Sequence, residues 1–419
     1  MKFWSTNKKA KPVSFKEALF RGLASDGGLY MSEKFPRNSG GFEKAAGFFT
    51  GLSKNTLKKI IKDVFNFSAP LVELNKNLYV QELFYGPTLS FKDFGARFMA
   101  RVASAFLAKG ESLNIITATS GDTGGAVAAG FYGLPNVKVF VLYPSGRVSD
   151  LQEKQIATWG GNVFALEVAG DFDDCQKLAK QALSDEALRT KLNLSSANSI
   201  NIGRLLPQMF YYFEAQRQLR ALYPKPHTPN PVFVVPSGNF GNLTAGLFAK
   251  KSGLRVKNFI AAVNRNSVVP KYFKTGKLQS RKTKMTYSSA MDVGTPSNWA
   301  RIAALYKNKN EMARDIKAVS VSESETLRTM GGVYKKYGYI ADPHTAVGIA
   351  AAEKIKGGPK IVLATAHPAK FKDIVEPTIG GIVPLPATLA EVLLKRKKSI
   401  KVDADYDDLR DILLKEGIR

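Results

Sequence analysis

Short runs of β-branched and small apolar residues recur along this chain, each leading into a small polar loop and then a helical pattern. LNIITA (113–118) leads into TSGDTGG and AVAAGFY, PVFVVP (231–236) into SGNFGN and LTAGLFAKKSG, and KIVLA (360–364) into TAHPAK. Runs this short and this uniformly apolar read as strands buried on both faces. A helix between successive strands makes a crossover, which favours parallel pairing. VKVFVLY (137–143), VFALEVA (163–169) and VKNFIAAVN (256–264) add further strands. Helices are predicted at FGARFMARVASAFLAKG (94–110) and SESETLRTMGGVYKKYGY (322–339), the latter with a capping box at Ser322 and Glu325. Another follows Asp342-Pro343, with proline at the first helical position. The first 75 residues differ: SFKEALFRGLASDGG and NTLKKIIKDVF read as helices with no strand between them. A chain of 419 residues exceeds one core. The pattern therefore predicts an α/β fold of two parallel-sheet lobes behind a mostly helical segment. The expected division is 1–75, 76–222 and 223–419, with lobes free to exchange segments and proline-rich 223–231 as the linker.

Composition narrows the function. The single cysteine, Cys175, permits no internal disulfide, and His227, His344 and His367 are too scattered for a zinc pattern, so no metal is expected. The first residues, MKFWSTNKKAKPVSF, lack the apolar core of a secretory signal, and no apolar run approaches a membrane span. A cytoplasmic protein without a membrane partner is expected. The formal charge is +26, and residues 215–291 hold 14 Lys and Arg with no Asp or Glu. Such a lobe attracts anions: a polynucleotide, an acidic lipid or a small phosphorylated substrate. No RNA-binding, helix-turn-helix or zinc-finger signature accompanies the charge, so no nucleic-acid partner is expected. The run KRKK at 395–398 reads as the solvated end of a helix.

One lysine stands out. In FYGPTLSFKDFGARF (84–98), Lys92 sits among Phe84, Leu89, Phe91, Phe94 and Phe98, just before a helix. It either snorkels to water or is a desolvated amine suited to nucleophilic or Schiff-base chemistry. The three strand-ending loops place bare N–H groups at helix starts, where a phosphate or carboxylate fits. None matches a Walker A or GxGxxG pattern. A lysine for an aldehyde, glycine loops for a phosphate and polar groups for a ring together suit pyridoxal 5′-phosphate.

The ordered set GLASDGGLYM, FYGPTLSFKDFGARF, ATSGDTGGAVAAGF, NSINIGRLLPQ, PSGNFGNLTAGL, NRNSVVP, SSAMDVGTPSN, DPHTAVGIAAAE and LATAHPAKF resembles the threonine synthases. These are fold-type II pyridoxal-phosphate enzymes, with the architecture of the tryptophan synthase β chain. The resemblance implies a Schiff base at Lys92 and a cofactor-phosphate cradle at Gly238, Asn239, Phe240, Gly241 and Asn242. It places the substrate carboxylate at Ser120, Gly121, Asp122, Thr123 and Gly124, and Thr365 at the pyridine nitrogen. The implied reaction converts O-phospho-L-homoserine and water to L-threonine and phosphate. For the substrate phosphate the nominated residues are Arg147, Ser149, Lys154 and Arg204, with Asn264 and Arg265 in reserve. Two departures matter. Tyr85 stands where many members have histidine, and Ser5-Thr6-Asn7-Lys8 replaces an arginine-glycine pair, so roles at those positions do not transfer. The alternatives are another fold-type II lyase (a threonine or serine dehydratase, or a phospho-lyase) and, from a different class, a basic nucleic-acid-binding protein. A monomer or homodimer is expected.

Overall fold

The structure is a computed structural model and describes residues 1–36, 41–223 and 229–418. The predicted linker falls largely on 224–228, outside the described residues, as does His227. In chain order the strands are β1 (Phe3–Ser5), β2 (Tyr30–Ser32), β3 (Leu71–Asn75), β4 (Leu78–Glu82), β5 (Leu113–Ala118), β6 (Val137–Pro144), β7 (Val163–Ala169), β8 (Leu194–Ser196), β9 (Val232–Pro236), β10 (Asn258–Val263), β11 (Ile316–Ser320), β12 (Lys360–Ala364) and β13 (Ser399–Asp403). They form an antiparallel ribbon β1-β2 and two larger sheets, ordered β11-β10-β9-β12-β4-β3 and β13-β7-β6-β5-β8. Every pairing in the two larger sheets is parallel except β3 with β4. The predicted parallel α/β lobes are therefore present. The reason is local: β5 and β9 are buried along their whole length, so both faces must be covered by helices.

The sheets do not follow the chain contiguously. β3 and β4 precede the first lobe's strands yet pair into the sheet of the second half, with Val80 opposite Val362. β13 returns from the end of the chain to pair with β7. We keep 1–75, 76–222 and 223–419 as the proposed division, with these two segments exchanged. The first segment holds the expected helices Phe15–Arg21 and Lys54–Val64, capped by Ser14 and Ser53, and also the ribbon β1-β2. Strands of three residues carry too little period to be read beforehand.

The return of the chain to β7 has a packing consequence. Helix Tyr406–Glu416 buries Leu409 and Leu413 in the same apolar cluster as Leu178, Leu183 and Val402, against the five-stranded sheet. Asn114 clamps the tail, accepting from Ile418 N at 3.1 Å and donating to Ile418 O at 2.8 Å. No helix among the described residues is long and apolar enough to cross a membrane. Leu409→Ala is expected to destabilise the fold by about 2–5 kcal/mol. A thermal scan should show the lowered unfolding midpoint, with activity unchanged below it because the residue lies away from the cleft.

Candidate active site

Lys92 is the first residue of helix Lys92–Phe106, whose buried face includes Phe94, Phe98, Met99 and Val102. The preceding loop is fastened to the end of β12: Phe91 N donates to Thr365 O at 2.9 Å and His367 N to Leu89 O at 3.1 Å. Lys92 Nζ lies 3.8 Å from Asp122 Oδ2, and its side chain keeps 16% exposure, toward a cleft that it lines. Burial pushes the Lys92 amine below the ordinary lysine range; Asp122 opposes this, and Lys370 and Arg204 add to the fall. Burial would raise the Asp122 carboxyl, but Lys370 and then Lys92 outweigh it and hold the group well below the usual carboxylate range. The desolvated reading of Lys92 is thus the one the geometry supports, rather than a snorkelling surface cation.

The cleft is lined by loops from both of the larger sheets. Thr119, Ser120 and Thr123 line it from the loop after β5, Ser237 through Asn242 from the loop after β9, and Thr365 from the end of β12. Helix Gly241–Lys251 opens without a side-chain cap, and the residue before it, Phe240, has a positive φ of 61°. Its first N–H groups are thus left for a ligand. Asn242 Oδ1 is taken by the hydroxyls of Tyr211 at 2.7 Å and Tyr212 at 2.8 Å, which orients the side chain. Its Nδ2 is buried with no hydrogen-bond partner among the described residues. At Gly238 an added Cβ would sit 2.8 Å from Met291 Cα, so only glycine allows the two loops to meet.

The residues nominated from sequence divide clearly. Lys92, Ser120, Thr123, Arg204, Gly238 through Asn242 and Thr365 converge on the cleft. Asp122 turns to the two lysines instead, while Gly121 and Gly124 shape the loop by donating to Thr119 Oγ1, each at 2.9 Å. Arg204 is buried, its Nη1 bonded to Ala197 O and its Nε without a partner among the described residues. Burial pushes its guanidinium down to about 10. Arg147 is exposed and absent from the lining, as is Arg265. Ser149 caps helix Asp150–Ala157, and Lys154 donates to Lys395 O at 2.5 Å. Asn264 is buried in a network with Thr286, Ser288 and Asp292.

The comparisons agree with this geometry. The profile described as Pyridoxal-phosphate dependent enzyme matches residues 65–365. Those described as Threonine synthase N terminus and Threonine synthase, C-terminal match residues 2–66 and 345–413. Threonine synthase of Haemophilus influenzae is 44% identical, over 99% of this chain and 100% of that protein. The crystal structure of threonine synthase from Escherichia coli has a TM-score of 0.92 at 41% identity, covering 100% of both chains. The chain belongs to the threonine synthase family. A pyridoxal-phosphate-bound threonine synthase from Brucella melitensis has the same TM-score, 0.92, at 34% identity, again covering 100% of both chains.

The residues present in this threonine synthase family member fit such a cofactor. The partnerless Asn242 Nδ2, the uncapped helix start and the tight Gly238 together make a cradle for a phosphate. Several lining residues had no local signal in the sequence. His344 takes Ala290 N–H on Nε2 at 3.2 Å and meets Asp342 through Nδ1 at 2.6 Å, which places the ring proton on Nδ1 and pins the wall at 289–293. Asp292 also lines the cleft, and burial pushes its carboxyl up to about 6 against hydrogen bonds from Thr286 and Asn264. Gly238→Ala is expected to weaken pyridoxal-phosphate affinity at least about tenfold, since the added methyl must displace backbone. Titration of the cofactor-free protein by absorbance checks this; unchanged affinity would remove Gly238 from the cradle.

Proposed function

We infer that this chain converts O-phospho-L-homoserine and water to L-threonine and phosphate, with pyridoxal 5′-phosphate as its cofactor. The observation that carries the reading is the opposition of the desolvated Lys92 amine and the anion cradle at 238–242 across one cleft. When bound, pyridoxal phosphate supplies an electron sink next to the substrate α-carbon. Gly238, Asn239, Phe240, Gly241 and Asn242 would hold its phosphate, Lys92 would bond its aldehyde carbon, and Thr365 would meet its ring nitrogen. Ser120 and Thr123 take the substrate carboxylate, on a loop whose shape Thr119 fixes. Arg204, a buried cation that lines the cleft, is our assignment for the substrate phosphate.

A lysine acts as a base only when neutral, and burial, which pushes the Lys92 amine below the ordinary lysine range, favours that form. Released when the substrate amine takes its place at the aldehyde carbon, Lys92 would take the α-proton and return protons along the substrate chain as phosphate departs and water adds. The wall at 289–293, held by His344, bounds the cleft where the substrate would lie. Purified protein given O-phospho-L-homoserine should release one phosphate per threonine. Phosphate release with 2-oxobutyrate in place of threonine would favour a phospho-lyase. Lys92→Ala should keep the cofactor in the 238–242 cradle and lose at least on the order of 10³-fold in turnover, because the proton-transfer group is gone. Near-normal turnover in that variant would overturn the assignment.

A further inference from the structure

A second lysine shares the carboxylate beside Lys92. Lys370 lies in the 3-10 turn Pro368–Phe371 just after β12, and its side chain is fully buried. Its Nζ is 2.6 Å from Asp122 Oδ1 and donates to Thr88 O at 2.9 Å. Gln152 Nε2 donates to the same Oδ1 at 3.1 Å, and Gln155 Nε2 to the same Thr88 O at 3.2 Å. Lys370 does not line the cleft. Lys92 meets only the other oxygen, Oδ2, at 3.8 Å, beyond hydrogen-bond length.

Two amines share one carboxylate here, and it makes a close ion pair with only one of them. Burying a cation without a close anion is costly, and the protein avoids that cost by releasing a proton. Lys370 has the short ion pair and a carbonyl. Lys92 has the long contact and a cleft. We propose that Lys370 is a positioning residue: it binds the Asp122 carboxylate, keeps it from forming a full ion pair with Lys92, and so leaves the Lys92 amine free in its neutral form. This rests on Lys92 being the cofactor-bearing lysine.

The other charged groups nearby do not take over this role. Arg204, from helix Ile202–Leu205, faces Lys92 as a further cation. Asp93, next to Lys92 on its own helix, feels Lys370 and Arg97, but its carboxylate is occupied by Thr88 N at 2.9 Å and Thr88 Oγ1 at 2.7 Å. His367 feels both Lys370 and Asp342, and burial pushes its imidazole down. Asp122 is therefore the carboxylate that Lys370 and Lys92 divide.

The test is the titration of the Lys92 amine in the full-length chain freed of cofactor. It is read as the pH dependence of acylation at the peptide carrying Lys92 by mass spectrometry. Lys370→Met removes a cation and frees Asp122 for Lys92, so the protonated amine is favoured and the midpoint should rise by about one pH unit or more. Lys370→Arg keeps the charge and should leave the midpoint within about half a unit of the parent. If Lys370→Met does not fold, Lys370→Gln, neutral but able to donate to both oxygens, should show the same upward shift. Regain of visible absorbance on adding pyridoxal phosphate reports that each variant is folded. An unshifted or lowered midpoint in the neutral variants, or equal shifts in the Met and Arg variants, would overturn the proposal. Borohydride reduction of the parent separates the premise from the inference. Label on Lys92 with no shift defeats only the role of Lys370, whereas label on another lysine defeats the assignment of Lys92.

Discussion

The cleft depends on the fastening of the chain at 83–92 to the end of β12. Leu83 N bonds Ala364 O at 3.0 Å, Phe91 N bonds Thr365 O, His367 N bonds Leu89 O, and Ser90 bridges Ala366. These backbone bonds belong to the six-stranded sheet. The helix that follows belongs to the other lobe, where Gly130 lies so close to Ala96 and Arg97 that an added Cβ would meet their backbone at 3.0–3.2 Å. Lys92 thus sits where one lobe's sheet hands the chain to the other lobe's helices. Its amine is positioned by both, and a shift of either lobe would move it relative to the 238–242 cradle.

Buried positive charge is the second theme. Arg204, Lys370 and Arg301 are all buried. Arg301 has no carboxylate partner among the described residues: its guanidinium donates to the carbonyls of Tyr30, Ser199 and Ile200 and to Asn298 Oδ1. Burial pushes it down to about 9, still largely charged at neutral pH. It also joins the ribbon strand β2 to the wall carrying Ser199, so the N-terminal segment is tied to the cleft through one side chain. Lys92 and Arg204 both line the cleft, and two phosphates are what the proposed reaction brings there. The exposed cations of 271–284 extend the same field outward.

Much of the site could be read beforehand because its signals are local. Lys92 within an aromatic run, the loop SGNFGN at a strand's end and Thr365 at the last buried strand are each visible in a window of a few residues. The residues that escaped are defined by distant partners. Lys370 lies in the TAHPAK loop, and nothing within the loop tells that its amine reaches Thr88, 282 residues away in sequence. Tyr211 and Tyr212 are buried in helix Met209–Leu222, and their hydroxyls orient the side chain of Asn242, which lines the cleft. Arg147 and Lys154 carried the right charge but lie outside the lining, because charge alone does not give direction.

The sequence by itself determined the kind of layer, the parallel pairing and the loops at the strand ends, since apolar period, chain length between strands and glycine placement are properties of neighbouring residues. Tertiary structure alone decided that β3 and β4 join the later sheet and that β13 closes the earlier one. It also decided that Asp122 is divided between Lys370 at 2.6 Å and Lys92 at 3.8 Å. The physical reason is that a buried charge is settled by whatever surrounds it in space. Lys92, Asp122 and Lys370 come from three separate segments, and no local pattern encodes their meeting.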